Sequence, residues 1–380
     1  MKILIAADSF KDSLGAGDVC RALQSGIGKE WPGARVEILP MADGGEGTVE
    51  SVIAATGGDL VQLTVKDPLM RPTSSFYGIS GDGLTAVIEM AAASGIEKLK
   101  PEERNPWITS TFGTGQLILD ALDRGCDRIM IGIGGSATND GGTGMARALG
   151  VQFLDKTGNP VGEGGGALAS VHRIAMNGLD RRIGKTGIRV ACDVTNPLTG
   201  PRGASAVYGP QKGADPEMVQ RLDACLGHLS GIIEKQLGMK VDDIPGAGAA
   251  GGLGAGLIAF LGAELMKGFD MVAQLVGLEE KIREADLVIT GEGKIDDQTG
   301  YGKTPWGVAQ LAMKHQIPVV AVAGTVAGGT EELASCGISV ILPIADRPMS
   351  LEESLRRAPE LLEGTGRRIA GLIRLGRSFR

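Results

Sequence analysis

The chain has 380 residues, more than one hydrophobic core usually supports, and 43% of them are hydrophobic, which predicts a globular protein with two domains. Its 38 Lys and Arg are outnumbered by 45 Asp and Glu, and the net charge of −7 removes the electrostatic case for nucleic acid or an acidic membrane as a partner. The five cysteines form no C-x-x-C pair, and no stretch approaches the roughly 18 apolar residues of a membrane span. These features predict a cytoplasmic protein with neither a structural zinc site nor a membrane segment.

The first predicted elements form a βαβ unit. A strand in KILIAA is followed by a polar loop, a helix in VCRALQSGIGKEW and a second strand in ARVEILP. Strands joined through a crossover helix lie parallel to each other. The opening of the chain therefore predicts a parallel sheet.

The next segments have a different hydrophobic period. Polar and apolar residues alternate through LVQLTVKD, SSFYGIS and GLTAVIEM, with turn residues between these runs. Such alternation is typical of an antiparallel or mixed sheet. Helices are expected in GTGQLILDALDRG and from Pro216 to about Leu237.

The C-terminal part of the chain returns to strands that alternate with helices, and it closes with an amphipathic helix rich in Arg. Both ends of the chain thus predict parallel α/β structure, whereas the middle predicts a mixed sheet. The simplest architecture is one α/β domain built from residues 1–66 and 285–380, with a second, mixed-sheet α/β domain of residues 67–284 inserted into it.

Five loops that follow predicted strands share one chemistry, because each offers several of the residues Asp, Glu, Lys, Ser and Thr. A single Asp in such a loop is more often a helix cap or a turn residue. Ligands of parallel sheets bind at the carboxyl ends of the strands, however, so the five loops together predict one composite cleft. The loops are ADSFKDS, MADGGEGT, GIGGSATNDGG, CDVTNPLTGPRGAS and TGEGKIDDQTGYGKT.

Two of these loops partly match known nucleotide-binding fingerprints. Gly132–Ala137 fits G-x-G-x-x-A after a strand, and Asp155 follows about 20 residues later, which makes an NAD-dependent dehydrogenase an alternative. Against it, TNDGGTGMARAL has loop-forming residues where the crossover helix should already run. A Walker P-loop ending in Gly300–Thr304 would need Gly at the position of Asp297.

A phosphoryl-transfer site without a P-loop agrees better with the five loops. Glycine-rich turns before a helix bind phosphate through backbone N–H groups, Lys adds a mobile positive charge, and Asp or Glu can hold Mg²⁺ or accept a proton. Histidine-based chemistry has little support, because none of the three histidines, His172, His228 and His315, lies in these loops.

Taken in order, the five loop sequences resemble the bacterial type-1 glycerate kinases over nearly the whole chain. The resemblance implies two α/β domains, a Rossmann-like or flavodoxin-like domain interrupted by the other, with the active site in the cleft between them. It also implies ATP-dependent phosphorylation of D-glycerate with Mg²⁺, giving 2-phosphoglycerate. A glycerate 3-kinase remains an alternative, because both carbons carry a hydroxyl group. The expected partners are ATP and D-glycerate, without nucleic acid or membrane, and a homodimer is compatible with the sequence.

On this interpretation the loops supply the site residues. The candidate catalytic residues are Asp193 as general base, Asp296 as its competitor and Lys11 as a phosphate contact. Asp8 and Asp193 are the candidate Mg²⁺ ligands. Lys294 stands where the family commonly has Arg, which keeps the charge but loses the bidentate fork. The residues expected to bind substrate or phosphate are Asp8, Ser9, Asp43, Gly44, Gly45, Gly134, Gly135, Ser136, Thr138, Asn139, Asp140, Glu292 and Lys294.

Overall fold

The structure is a computed structural model and describes residues 1–295, 303–327 and 337–379. Its strands are β1 (Lys2–Ile5), β2 (Arg35–Ile38), β3 (Asp59–Lys66), β4 (Pro72–Ile79), β5 (Thr85–Glu89), β6 (Arg128–Gly132), β7 (Gln152–Leu154), β8 (Arg173–Ala175), β9 (Gly187–Ala191), β10 (Glu264–Met266), β11 (Leu287–Ile295), β12 (Val319–Val326) and β13 (Ile338–Pro343). Its helices are α1 (Ala16–Glu30), α2 (Thr48–Thr56), α3 (Ala91–Ser94), α4 (Phe112–Asp123), α5 (Thr143–Ala148), α6 (Ala204–Tyr208), α7 (Pro216–Leu237), α8 (Ala249–Leu261), α9 (Gly268–Leu275), α10 (Leu278–Arg283), α11 (Thr304–Lys314) and α12 (Leu351–Ser378). Across the described ranges, no helix combines the length and the apolar character needed to span a membrane.

The chain divides into two units. The terminal unit contains Met1–Asp43, Glu50–Gly57 and Phe269–Arg380, and the middle unit contains Gly44–Val49 and Gly58–Gly268. This division differs at both ends from the one drawn from the sequence, which places boundaries after residues 66 and 284. Strand β3, which precedes residue 67, pairs with β4 and so belongs to the middle unit. Helix α10, which precedes residue 285, belongs to the terminal unit.

A five-stranded sheet forms the centre of the terminal unit. Its order is β13-β12-β11-β1-β2, and every neighbouring pair is parallel. When the strands are numbered within this sheet alone, the order is 2-1-3-4-5, which is the flavodoxin-like order. The order reverses between β1 and β11, and such sheets bind ligands beyond the carboxyl ends of the strands at this switch point. The loop after β1 is therefore placed where a ligand is expected.

The middle unit contains a six-stranded mixed sheet in the order β10-β9-β6-β5-β4-β3. The four strands from β10 to β5 are parallel neighbours, whereas β5, β4 and β3 form antiparallel pairs. Strands β7 and β8 make a separate two-stranded antiparallel sheet. The predicted α/β class with one parallel and one mixed sheet is confirmed, and the change to a period of two falls on the antiparallel strands.

Helices α1 and α12 pack against each other in the terminal unit with their backbones in contact. At Gly26 of α1, a Cβ atom would lie 2.0 Å from the backbone oxygen of Glu363. At Gly366 of α12, a Cβ atom would lie 2.4 Å from the backbone oxygen of Leu23. Only glycine permits this approach. The rest of the buried face of α1 is apolar and recurs at helical spacing, as Val19, Cys20, Leu23 and Ile27.

We expect Gly26→Ala to lower the free energy of unfolding by about 1–3 kcal/mol, because the new methyl group must push the two helix backbones apart. Gly28→Ala in the same helix is the matched control. A Cβ atom there meets nothing within 4 Å, so the higher helix propensity of Ala should raise stability by about 0.5–1 kcal/mol. Urea unfolding of both variants measures the difference, and equal effects of the two substitutions would contradict the close helix contact.

Candidate active site

Asp8 lies at the switch point of the parallel sheet, directly beyond β1. Its backbone N–H donates to the carbonyl oxygen of Gly291 in β11, at 2.9 Å. Its carboxylate accepts hydrogen bonds from Thr304 Oγ1 at 2.5 Å and from the N–H of Ser9 at 2.6 Å. Thr304 is the first residue of α11. The carboxyl group is thus fixed beside two parallel strands and a helix N-terminus, and a helix N-terminus favours anionic ligand groups.

A second carboxylate lies near Asp8. Burial and the charge of Asp43 raise the pKa of Asp8 to about 6, although the hydrogen bonds from Thr304 and Ser9 act in the opposite direction. No cluster of three or more His, Cys, Asp or Glu that could hold a metal ion occurs in the described part of the chain. Mg²⁺ commonly needs only one or two protein carboxylates, because water and substrate phosphates supply its other ligands. The Asp8–Asp43 pair fits that requirement.

Three lysines lie close in sequence to Asp8 or to α11, or belong to β11. Lys303 directly precedes α11, and its Nζ lies 4.0 Å from Oε2 of the buried Glu292 on β11. Lys294, on the same strand, and Lys11, in the loop after β1, are exposed. Asp296, one of the predicted catalytic residues, lies outside the described residues.

The glycine loop, residues 134–142, follows β6 in the middle unit. Gly134 and Gly135 are exposed, and their N–H groups have no acceptor among the residues that the structure describes. Gly135 has a φ of 71°, a left-handed conformation that suits glycine. A side chain at Gly134 would meet open space. Two exposed, unpaired N–H groups beyond a parallel strand are donors of the kind that bind carboxylate or phosphate.

The next part of the glycine loop is buried but not fully hydrogen-bonded. Asn139 Nδ2 donates to Ser205 Oγ at 3.0 Å. By contrast, Thr138 Oγ1 and Asn139 Oδ1 are buried and have no hydrogen-bond partner within the described ranges. Buried polar atoms without partners are rare in folded proteins, and their occurrence here indicates a ligand or an ordered water molecule.

Asp140 lies in this buried part, and its carboxylate accepts hydrogen bonds from donors of the protein. It accepts hydrogen bonds from the N–H and Oγ1 of Thr111, both at 2.8 Å, and from the N–H groups of Gly142 and Gly144 at 3.1 and 3.2 Å. Complete burial raises the pKa of Asp140 in spite of these donors. Because the oxygens bond inward, Asp140 shapes the loop, and its predicted substrate contact stays a prediction.

Lys212 is a site residue that the sequence analysis missed. It is 1% exposed and ends the 3₁₀ turn Pro210–Lys212. Its Nζ donates to Ser136 Oγ at 2.7 Å and to the carbonyl oxygen of Thr138 at 2.6 Å. Burial lowers the pKa of Lys212 to about 7, although the charge of Asp140 raises it. The available signal was the GPQKGA segment, in which a lysine stands within a turn of Gly and Pro.

The start of α8 supports the glycine loop through its backbone. Ala250, Gly251 and Gly252 have φ values of 54°, 70° and 84°, so this short segment is left-handed within the helix. At Gly251, a Cβ atom would lie 1.9 Å from the carbonyl oxygen of Thr138. The N–H of Gly141 donates to the carbonyl oxygen of Gly251 at 3.1 Å. The glycines of this segment therefore serve close packing against the loop.

Asp193 and Gly44 lie at the carboxyl end of β9. Asp193 is exposed. Its Oδ1 accepts a hydrogen bond, at 3.1 Å, from the N–H of Gly268, which lies just beyond β10. At Gly44, a Cβ atom would lie 2.4 Å from Cβ of Ala191, the last residue of β9. Gly44 is thus required by close packing, and the neighbouring Gly45 is half-buried. The middle unit brings Gly44 and Asp193 to one edge of its sheet.

The dinucleotide-binding alternative is contradicted by the topology. Such a unit needs an acidic residue at the end of a strand that neighbours the first strand in the parallel sheet. The neighbours of β6 are β5 and β9, whereas β7, which precedes Asp155, pairs with β8 in a separate sheet. Asp155 Oδ1 also accepts the N–H groups of Thr157 and Asn159 in its own turn. Asp155 is therefore not placed to bind a ribose beside Gly132–Ala137.

The fold and the candidate sites are those expected of an α/β phosphotransferase whose sequence has no P-loop, with carboxylates at one switch point and a glycine loop with exposed N–H groups on a second sheet. The family model described as the glycerate kinase family matches residues 3–374. The chain belongs to the glycerate kinase family, which confirms the resemblance seen in the loops.

Individual relatives agree with this assignment. A glycerate kinase of Halalkalibacterium halodurans is 51% identical over 368 residues, covering 97% of each chain. A glycerate 2-kinase of Escherichia coli K12 is 48% identical over 376 residues, covering 99% of each. A crystal structure from Salmonella typhimurium LT2, assigned as a glycerate kinase 2, superposes with a TM-score of 0.93 at 47% identity, covering 100% of this chain and 99% of that one.

The buried amine of Lys212 predicts a pH dependence of stability. Its pKa is about 7 in the folded protein and near the ordinary 10.5 in the unfolded chain, so the unfolded state binds more protons between these values. The free energy of unfolding should therefore rise with pH across this window, by up to about 1.4 kcal/mol per pH unit. Lys212→Met should lack this rise, whereas Lys185→Met, at an exposed position, should keep it. Urea unfolding from pH 7 to pH 10 checks the prediction, and equal slopes in all three proteins would contradict it.

Proposed function

We propose that this protein transfers the γ-phosphoryl group of ATP to the 2-hydroxyl of D-glycerate, giving 2-phosphoglycerate and ADP. The observation that carries the proposal is the carboxylate pair Asp8 and Asp43 at the switch point, beside the N-terminus of α11. A carboxylate pair suits the Mg²⁺ of a nucleotide, and a helix N-terminus suits its phosphates. The Escherichia coli relative named glycerate 2-kinase supports both the acceptor and the 2-position.

In this proposal the terminal unit binds the nucleotide. Asp8 and Asp43 hold Mg²⁺, which neutralises phosphate charge when it is bound. Lys11, Lys294 and Lys303 contact phosphate oxygens, because exposed ammonium groups on flexible stems can follow the charge of the transferred group.

The middle unit binds the acid substrate. The N–H groups of Gly134 and Gly135 donate to a substrate oxygen, since both are exposed and have no acceptor among the described residues. Ser136 is held by Lys212, which fixes the orientation of its hydroxyl group. The unpaired Thr138 Oγ1 adds a further polar group to this loop.

Asp193 is the proposed general base, and this role replaces its other candidate role as a Mg²⁺ ligand. The proton on the 2-hydroxyl passes to the Asp193 carboxylate. A bond forms between the 2-hydroxyl oxygen of D-glycerate and the γ-phosphorus. The bond from the γ-phosphorus to the bridging oxygen breaks, and ADP leaves with the electron pair. Asp296 remains a competing candidate for the base.

Several more specific predictions from the sequence remain predictions in this proposal. Transfer to the 3-hydroxyl has no observation in its favour beyond the presence of that group on the substrate. The requirement for Mg²⁺, a cytoplasmic location and a homodimer remain predictions of the sequence. Light scattering of the purified protein would measure the oligomeric state directly.

The purified protein should form ADP only when ATP, Mg²⁺ and D-glycerate are all present, as measured by a coupled assay. ³¹P NMR of the product should show the phosphate on carbon 2, because that hydroxyl lies beside the carboxylate by which the acid is held. L-Glycerate is the control for the placement of the hydroxyl groups and should react poorly. A phosphate on carbon 3 would contradict the 2-position, and absence of ADP would contradict the kinase proposal.

Two substitutions should separate the base from the metal ligand. Asp193→Asn should lower kcat by about 10²–10⁴-fold without changing the Mg²⁺ concentration that gives half-maximal rate, because an amide cannot accept the proton. Asp8→Asn should instead raise that Mg²⁺ concentration by about tenfold or more. Asp12→Asn is the control, since Asp12 is exposed in the same loop and its φ of 63° suits Asn. Near-normal kcat in Asp193→Asn would exclude it as the base.

A further inference from the structure

Arg104 is a half-buried arginine without a partner in the part of the chain that the structure describes. Its Nε is buried and has no hydrogen bond, and its guanidinium forms no ion pair there. Other half-buried arginine side chains are paired with carboxylates. Arg357 binds Asp346, and Arg147 binds Glu163. The contrast indicates that the partner of Arg104 is none of the residues that the structure describes.

The chemistry of guanidinium makes it costly to bury an arginine side chain without a partner. A guanidinium stays protonated in proteins, so burial cannot be relieved by loss of a proton. A partly desolvated cation is unfavourable unless an anion or hydrogen-bond acceptors surround it. Lys212 escapes this cost, because its amine has two acceptors and a pKa near 7. The buried Nε of Arg104 has no acceptor among the described residues.

Arg104 lies beside the glycine loop through contacts on two segments. A Cβ atom at Gly213 would lie 2.2 Å from the backbone oxygen of Arg104 and 3.2 Å from its Cβ. Gly213 directly follows Lys212, whose amine binds the glycine loop. Thr109 follows Arg104 along the chain, and its Oγ1 donates to the carbonyl oxygen of Ala137 in the loop at 2.9 Å. The backbone of Arg104 thus belongs to the same corner of the middle unit as the loop.

We propose that Arg104 binds the carboxylate of the acid substrate through its planar fork and so selects an acid over neutral compounds with the same hydroxyl groups. This inference rests on the proposed function. A carboxylate can accept two parallel N–H···O bonds from one guanidinium, which gives orientation as well as affinity. The carboxylate is favoured over a phosphate of ATP because Asp193, the proposed base for the acceptor hydroxyl, lies in the same unit.

Steady-state kinetics of Arg104→Met, Arg104→Lys and the wild type test this proposal. Arg104→Met should raise KM for D-glycerate by about 10–100-fold, the range expected for loss of a charge-assisted hydrogen-bonded pair, and leave KM for ATP within about twofold. Arg104→Lys should be intermediate, because it keeps the charge but not the fork. D-Glyceramide, which has an amide in place of the carboxylate, should inhibit wild type and Arg104→Met equally. Arg181→Met removes an exposed arginine from the same unit and should change nothing.

Several results would overturn the assignment. A rise in KM for ATP rather than for D-glycerate would place a phosphate on Arg104. Equal loss for both substrates with a lowered thermal midpoint in Arg104→Met, and no recovery in Arg104→Lys, would make Arg104 structural. Wild-type protein that forms no ADP with D-glycerate would overturn the proposed function itself. An active wild type with unchanged KM in Arg104→Met would overturn the role of Arg104 alone.

Discussion

The buried carboxylate of Asp140 is the interaction on which the middle unit's site depends. Its two oxygens accept hydrogen bonds from four donors, the N–H and Oγ1 of Thr111 and the N–H groups of Gly142 and Gly144, which fix the turn of the chain. A buried carboxylate is tolerated only with such donors. Lys212 places a hydrogen-bond donor, its buried amine, on the other part of the loop. With these groups bonded inward, the exposed Gly134 and Gly135 are left to face a ligand.

Close backbone packing explains much of the glycine content around this loop. At Gly256 of α8, a Cβ atom would lie 2.4 Å from the carbonyl oxygen of Gly141, and at Gly165 it would lie 2.7 Å from that of Asn139. These glycines let neighbouring segments approach a loop whose own side chains fill little space, and packed interiors transmit such constraints over several residues. A larger residue at any of them would move the loop.

The sequence predicted elements better than contacts. Helix α7 has the predicted bounds of Pro216 and Leu237, and the antiparallel strands fall where the period changes to two, because periodicity is a local property of the chain. The sequence did not single out Lys212, whose partners lie far away along the chain, or Arg104, because a sequence does not show which side chains are buried. Asp140 was found but given a ligand-binding role, since a sequence cannot show which donors a carboxylate already has. The sheet that β3 joins depends in the same way on a long-range pairing.

The charge distribution gives the two units different tasks. A net charge of −7 repels anions at long range, but salt screens such repulsion beyond about 8 Å under physiological conditions. Affinity for an anionic ligand must therefore come from donors within direct reach. The terminal unit offers a carboxylate pair that needs a divalent cation before it can attract a phosphate, whereas the middle unit offers backbone N–H groups and an unpaired guanidinium that attract a carboxylate directly. Under the proposed function, this asymmetry would let one acidic protein distinguish two anionic substrates, because only the nucleotide would arrive with a metal ion.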